Sequence, residues 1–417
     1  MSARDRPVSR YEPLETDYED PWPLIASERS RCPVAYNEVG GFWQALSYDA
    51  VESVLRRPNT FSNAHGTIPQ DLEQVNYKRE KFLPFVDPPD HTRQRRLLVQ
   101  AFSPKRVGEM SEGIRQIVDD VIDALPSEGG DFEVISTIAA PLPVAVICQM
   151  MGAPREDWGR IRDWSVNAEQ AAAVKRPTPE QLQTNDDFSA YIGELVRARR
   201  TSPNPPDDLS TALSLAELDG VRFTDAQCVD GLVLMMSAGN STTAHLISNL
   251  VWLLESNPEQ KALFLSDMDR YAMGAVEEGL RCEGTIQGLF RHALEDTEVE
   301  GVPIAAGEWM WCGFGPASHD PEVFEDPEAF RIDREWDEHQ SHMGFSHGVH
   351  HCLGSNLARM ETAAAITGLY RRLPGLRARA GFVPKQLPGM LVRGWYEVEM
   401  VYEGPVGPRL TASPRGR

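Results

Sequence analysis

The chain lacks paired cysteines. Cys32, Cys148, Cys228, Cys282, Cys312 and Cys352 stand far apart and none forms a CxxC pair, which removes a zinc ribbon and a thioredoxin-type motif. In a reducing compartment such isolated cysteines are usually small buried hydrophobes. Positive charge is also scarce: 41 Lys and Arg face 62 Asp and Glu, a formal net charge of -21. Phosphate contacts need a basic patch, so this is a poor nucleic-acid binder. No uninterrupted apolar run approaches the roughly 20 residues that span a bilayer. Met1 to Asp20 is polar and has neither the apolar core nor the small-residue cleavage site of a signal peptide. The expectation is a cytoplasmic protein without a membrane span.

Hydrophobic residues make up 41% of the 417, enough for a sizeable core. No internal repeat or low-complexity tract divides the chain. We expect a flexible segment over 1–20, one domain over 21–405 and a flexible tail over 406–417. Helical patterns dominate: Arg93 to Phe102, Val107 to Leu125, Pro141 to Met151 before Gly152, a surface helix within 177–206, and Leu353 to Leu373 before Pro374. The longest candidate starts at Thr224, whose spacing to Gln227 is that of a capping box, and runs to Asn257 and Pro258. It is apolar on nearly all sides, so it should cross the interior. Short strands are expected at Phe42 to Leu46, Glu298 to Val302, Trp309 to Cys312 and Tyr396 to Tyr402. Pro321 to Arg334 reads as an ordered irregular segment. The fold class is mainly α with a minor β-sheet region.

The chemistry concentrates in Phe345-Ser346-His347-Gly348-Val349-His350-His351-Cys352-Leu353-Gly354. Gly348 and Gly354 permit close backbone approach. Cys352 stands just before a long helix, where free N–H groups and the dipole favour a thiolate that can ligate a metal. Two readings compete. His347, His350, His351 and Cys352 could form a zinc cluster, though adjacent His351 and Cys352 suit zinc badly and no second ligand pair stands elsewhere. Cys352 could also be a buried cysteine in a glycine-rich turn.

This run, followed by Leu357-Ala358-Arg359, resembles the haem-binding signature of the cytochrome P-450 family, F-G-x-G-x-H-x-C-x-G and then L-A-R. Ser346 replaces one glycine, an expected small perturbation of the turn. Three further motifs follow the family's order. Glu278-Gly279-Leu280-Arg281 is similar to its E-x-x-R, a structural pair near the haem. The third partner's usual position is Ala329 here, which leaves Arg331 or Arg334 to substitute. Asp87-Pro88-Pro89-Asp90-His91-Thr92-Arg93-Gln94-Arg95-Arg96 resembles D-P-P-E-H-T-R-x-R-R. His91 and Arg95 share a helix face there, as a clamp on two buried propionates requires. Ile286 to Arg291 resembles the strand that passes the haem edge, with Arg291 at the propionate-binding position and Thr285 in place of a common proline, which should loosen the strand. His350 is the fourth expected propionate contact.

Ala238-Gly239-Asn240-Ser241-Thr242-Thr243 lies midway along the long helix. A glycine there suits a helix passing close over a flat ligand, and the Thr242 hydroxyl can return to the Ala238 carbonyl, opening a groove. The family pattern is A/G-G-x-D/E-T-T/S. Thr242 matches the alcohol, while Ser241 stands where the acid is usual. Serine can relay a proton through water but supplies none. Asn240 or a substrate group could then contribute to the proton path.

The resemblance implies a triangular helical domain with haem b between the long central helix and the cysteine-bearing helix. It implies a monooxygenase that inserts one oxygen atom from O2 into a small, moderately apolar substrate. Electrons would come from NAD(P)H through a separate reductase and a ferredoxin or flavodoxin, docking near Arg93, Arg96 and Arg359. Cys352 would be the iron ligand. His91, Arg95, Arg291, Phe345, His350, Cys352 and Gly354 would bind the cofactor, and Thr242 with Ser241 would serve catalysis. Ala238, Gly239, Ile286, Gln287 and Leu391, with parts of 66–85 and 164–175, would line the substrate pocket. A peroxide-using or oxidative-coupling member and a non-catalytic haem sensor remain alternatives.

Overall fold

A computed structural model describes residues 6–12, 19–67, 69, 82–99, 101–172, 178–218, 220–336 and 341–412, without the side chains of 169–172, 218 and 412. The central helix runs Asp225–Ser256, 32 residues, and its Thr224–Gln227 capping box forms. Asn257 ends it, and Pro258 opens the next helix, Pro258–Ser266. Its buried residues face several directions, because it packs at once on Pro141–Met151, Pro179–Thr201, Met268–Cys282 and Ser355–Arg372. The helix Pro141–Met151 stops as expected at Gly152, whose φ of 68° is the left-handed cap that glycine takes without strain.

One continuous apolar core fills this helical part. Beside it lies a five-stranded sheet in the spatial order Val34–Asn37, Phe42–Ala45, Trp309–Gly313, Gly288–Ala293, Phe61–Ser62. Its one parallel pairing joins Phe42–Ala45 to Trp309–Gly313. The strand Gly288–Ala293 carries Arg291 inward from this sheet, and the cysteine helix Ser355–Arg372 brings the signature loop to the face of the central helix.

Several boundaries differ from expectation. The basic helix is Asp90–Leu98, starting three residues early. The stretch expected as one helix over Val107 to Leu125 is two, Pro104–Glu109 and Ser111–Asp123, joined at Met110. Glu298 to Val302 is a hairpin, Thr297–Val299 against Val302–Ile304. Glu300 and Gly301 have φ of 49° and 73°, the primed-turn signature of a two-residue connection. The described parts of both chain ends, expected to be flexible, are tied down. Val8 bridges Tyr36, and Tyr11 is buried. Asp119 is fully buried beside Arg372 and accepts from Leu410 N and Thr411 N, which holds the C-terminal segment as far as Ala412. A buried carboxylate needs such donors.

Candidate active site

A cavity of about 380 Å³ lies between the central helix and the cysteine helix, and its wall is almost wholly apolar. The polar exceptions are concentrated. His91, Arg95, Arg291 and His350 all reach this one cavity from three separate parts of the chain. The His91 and His350 rings lie 4.1 Å apart. His91 Nδ1 and His350 Nε2 are buried without a hydrogen-bond partner. Arg291 is 3% exposed and bonds only the Phe290 carbonyl, at 2.8 Å. Among the described residues no carboxylate pairs with Arg95 or Arg291.

Burial, with Arg95 alongside, pushes the His91 imidazole down to about 4 despite the opposing pull of Asp87. Burial and then the neighbouring His91, Arg291 and Arg95 push His350 down to about 2. Burial also lowers both guanidiniums. Two buried guanidiniums with no carboxylate paired to either, beside two imidazoles with open ring nitrogens, are unfavourable in isolation. They fit an anionic group with two carboxylates, as a haem carries.

The signature loop, which carries His350, lines the same cavity. Phe345, Ser346, Cys352 and Gly354 line it, and the Cys352 amide donates to the Phe345 carbonyl at 2.9 Å. A Cβ on Gly348 would stand 2.5 Å from the Leu55 carbonyl oxygen at a φ of 71°, so glycine is needed there by the protein's own wall. A Cβ on Gly354 would meet no protein atom within 4 Å. It would enter the cavity, leaving a cradle for a flat group. Burial raises the bare Cys352 thiol, and the Gly354 amide, Arg95 and Arg359 pull it partly back. A bound metal cation would favour the thiolate further. Ser346 has φ 60° and ψ 177°, a region occupied essentially by glycine, and its Oγ is buried without a partner. The replacement is thus a strained one rather than the small perturbation expected from the sequence.

On the facing wall, Ala238, Gly239, Thr242, Thr243 and Leu246 line the cavity. Thr242 Oγ1 donates to the Ala238 carbonyl at 2.5 Å, the back-bond expected of it, which leaves its lone pairs free to accept. Ser241 does not line the cavity. Asn240 is buried and its Nδ2 donates to Ser165 Oγ at 3.2 Å, away from the cavity. Ile286 lines the cavity but Gln287 and Leu391 do not. Gln287 instead turns its amide to the Gly284 carbonyl at 2.7 Å, and its own backbone N–H donates to the Leu391 carbonyl. Of the expected segment 66–85, Thr67 and 82–84 line the wall, joined by Asn63, while 164–168 do not; 68, 70–81 and 173–175 lie outside the described residues.

Glu278 and Arg281, both fully buried, pair at 2.8 and 2.9 Å. The third partner is Arg334, whose Nε lies 3.0 Å from Glu278 Oε2, while Arg331 contributes only its backbone N–H. Arg281 also donates to the Ser318, Pro327 and Ala329 carbonyls. Arg359, expected at a docking surface, is instead bound to Glu277. Sequence reasoning missed Glu361, an acid in the cavity wall that burial raises well above the ordinary carboxylate range. Only its i, i+4 spacing from Leu357 on the cysteine helix could have pointed to it.

The Cytochrome P450 family model matches residues 175–373. Cytochrome P450 107B1 of Saccharopolyspora erythraea is 36% identical over 81% of this chain and 83% of its own. Mycinamicin IV hydroxylase/epoxidase of Micromonospora griseorubida is 35% identical over 86% and 89%. The crystal structure of CYP109E1 from Bacillus megaterium in complex with testosterone superposes with a TM-score of 0.80 at 30% identity, covering 91% of this chain and 99% of that one. CYP109Q5 from Chondromyces apiculatus gives 0.83 at 28% identity over 93% and 96%. No helix among the described residues is long and apolar enough to cross a membrane. With relatives of this identity spanning most of its length, the chain belongs to the cytochrome P450 family and is a haem monooxygenase that works with redox partners.

Proposed function

We propose that Cys352 is the axial ligand of the haem iron and that His91, Arg95, Arg291 and His350 hold the propionates. The observation that carries this reading is the shared cavity. Cys352 shares it with His91, Arg95, Arg291 and His350, and Gly354 beside the cysteine leaves room for a flat group. Bound there, thiolate-ligated haem supplies the oxygen chemistry: one atom of O2 enters the substrate and the other leaves as water. The chain's own residues do the rest. Arg95 and Arg291 neutralise the propionates, and Phe345 covers the cysteine side. Gly239 and Ala238 let the central helix pass close, and the Thr242 hydroxyl accepts from what binds beside it and orders water. Ser241, outside the cavity wall, contributes at most through water.

The substrate is a compact, largely apolar organic molecule. Phe82, Leu83, Ile147, Leu234 and Met235 in the wall support this. So does the related structure that holds testosterone. The redox partner is an acidic ferredoxin or flavodoxin in the cytoplasm. It would meet the exposed Arg93 and Arg96, a local exception on a chain of net charge -21. Peroxide-driven and sensor readings are not favoured, because the relatives carry the names of hydroxylases and oxygenases.

The test is the spectrum of the dithionite-reduced protein under carbon monoxide. The wild type should absorb near the wavelength for which the family is named, and Cys352→Ala should lose that band. An unchanged band in the variant removes Cys352 as ligand.

A further inference from the structure

Thr285 stands where the family pattern commonly has proline, and the sequence suggests that the change loosens the strand. The structure has it doing the opposite. Thr285 is 5% exposed and lines the cavity. Its Oγ1 donates to the main-chain carbonyl of Thr242 at 2.9 Å. Its own carbonyl accepts from Arg393 N at 2.7 Å. Two turns further along the central helix, Asn249 Nδ2 donates to the Glu283 carbonyl at 2.8 Å. Residues 283–285 are therefore stitched to the central helix at two levels, and the upper stitch falls on the residue whose hydroxyl faces the cavity.

We propose that Thr285 is a positioning residue for oxygen activation: its hydroxyl fixes the Thr242 peptide and, through it, the Thr242 alcohol. The proposal rests on the reading of Thr242 as the oxygen-side alcohol. The physical chain is short. The Thr242 hydroxyl is already directed to Ala238 O, so its place in the cavity is set by two carbonyls of its own helix, at 238 and 242. A helix carbonyl normally takes one N–H. A second donor from outside the helix holds that carbonyl tilted outward, and the turn stays open. Proline at 285 has no hydroxyl and could not do this. The two departures of this chain from the family pattern in this region meet at one helical turn: Ser241 is on it, and Thr285 bonds to it from outside. One removes a carboxylate and the other adds a tether. Proton delivery depends on positions held to a fraction of an ångström, so the tether should govern where electrons go when water and Thr242 alone must deliver protons.

The test needs no organic substrate. The holoenzyme, with NADH and redox partners, reduces O2 either by two electrons and two protons to H2O2 or by four electrons and four protons to two H2O. Peroxide formed per NADH consumed reports the partition. Thr285→Val, which keeps the shape and removes the hydroxyl, should raise the peroxide-to-water ratio about fivefold, the factor that one ordinary net hydrogen bond is worth. Thr285→Ser should restore the wild-type ratio. In a Thr242→Ala background, Thr285→Val should add little, since the tether would have nothing left to position. Amide hydrogen exchange over 238–246 should quicken in Thr285→Val and not in Thr285→Ser, with or without haem.

An unchanged ratio in Thr285→Val overturns the proposal. So does a Ser variant that behaves like Val, or a Val effect undiminished in the Thr242→Ala background. If Thr242→Ala alone leaves the ratio unchanged while exchange still quickens in Thr285→Val, the tether exists but the reading of Thr242 is wrong, and the proposal falls with it.

Discussion

The two walls of the cavity are built on opposite principles. The cysteine wall is fixed by charge and backbone geometry. Glu278, Arg281 and Arg334 form a buried ion triad, Arg359 binds Glu277, and Gly348 sits where no other residue fits. The central-helix wall is mostly apolar, and its described hydrogen bonds near the cavity are two hydroxyls on two carbonyls. A wall that holds a charged cofactor needs groups whose positions do not drift. A wall that admits varied substrates and moves protons can be soft, with a few polar atoms held lightly. Removing a group from the first wall should therefore cost stability and cofactor retention, and removing one from the second should change reaction partition while the fold stands.

The largest effect is expected at Glu278. Glu278→Gln leaves two guanidiniums buried without their carboxylate, and breaking a buried ion network typically costs about 3–5 kcal/mol. The thermal midpoint and the yield of haem-loaded protein should both fall sharply. A variant of near wild-type midpoint would mean that the cysteine wall is not held by this triad.

Next is the cationic cluster. Each charged hydrogen bond to a propionate is worth about 1.5–3 kcal/mol, so Arg291→Ala should speed haem loss by roughly one to two orders of magnitude. Arg95→Ala should do less, because Arg95 is only half-buried. Transfer of haem to an excess of an apo-globin gives both rates. Equal, unchanged retention would take these residues out of the cofactor site and leave the contrast between the walls without its main support.

Ser346 offers a sharper probe, because it is the one strained position of the cysteine wall. Its φ of 60° with ψ of 177° belongs to glycine, at a cost of order 1–3 kcal/mol, and its buried Oγ has no partner. Ser346→Gly should stabilise the protein by about 1 kcal/mol after the extra unfolded-state freedom of glycine is subtracted. Urea unfolding of the haem-loaded protein would read it. A loss of stability would mean that the hydroxyl has an acceptor when haem is bound.

The same contrast explains what the sequence made legible. The cysteine wall was readable because its roles demand particular residue types at fixed spacing: Cys352 before a helix, Gly348 against a carbonyl, Glu278 and Arg281 three apart. Helix stops read well for the same reason, as at Gly152 and Pro258. What stayed hidden depends on contacts between distant parts of the chain. Nothing local distinguishes Arg334 from Arg331 as the partner of Glu278, and only the folded chain shows which guanidinium reaches. Ile286 and Gln287 are neighbours just before the strand Gly288–Ala293, yet Ile286 lines the cavity while Gln287 turns its amide to Gly284. Within the described part of the C-terminal segment, the buried Asp119 supplies acceptors for the amides of Leu410 and Thr411 that composition cannot reveal.

The smallest expected effect is at Ser241. Its position is half-buried and outside the cavity wall, so a carboxylate introduced there would act on Thr242 only through intervening water. It would also face a competitor. His245 lies one turn on, at i+4, with its Nδ1 buried and unpartnered and its imidazole lowered by burial. The neutral imidazole could donate from Nδ1–H to an Asp at this spacing, and that hydrogen bond would hold part of the new acid ionised and turned along the helix. Ser241→Asp should therefore lower the peroxide-to-water ratio by no more than about twofold, the scale of such a surface-type pair, and leave the thermal midpoint nearly unchanged. Ser241→Asp with His245→Asn should release the acid and give a larger decrease than Ser241→Asp alone. If Ser241→Asp by itself shifts the partition as strongly as Thr242→Ala shifts it in the other direction, then position 241 reaches the reacting oxygen directly. The central-helix wall would then be as sharply organised as the cysteine wall, with one group missing rather than soft by construction.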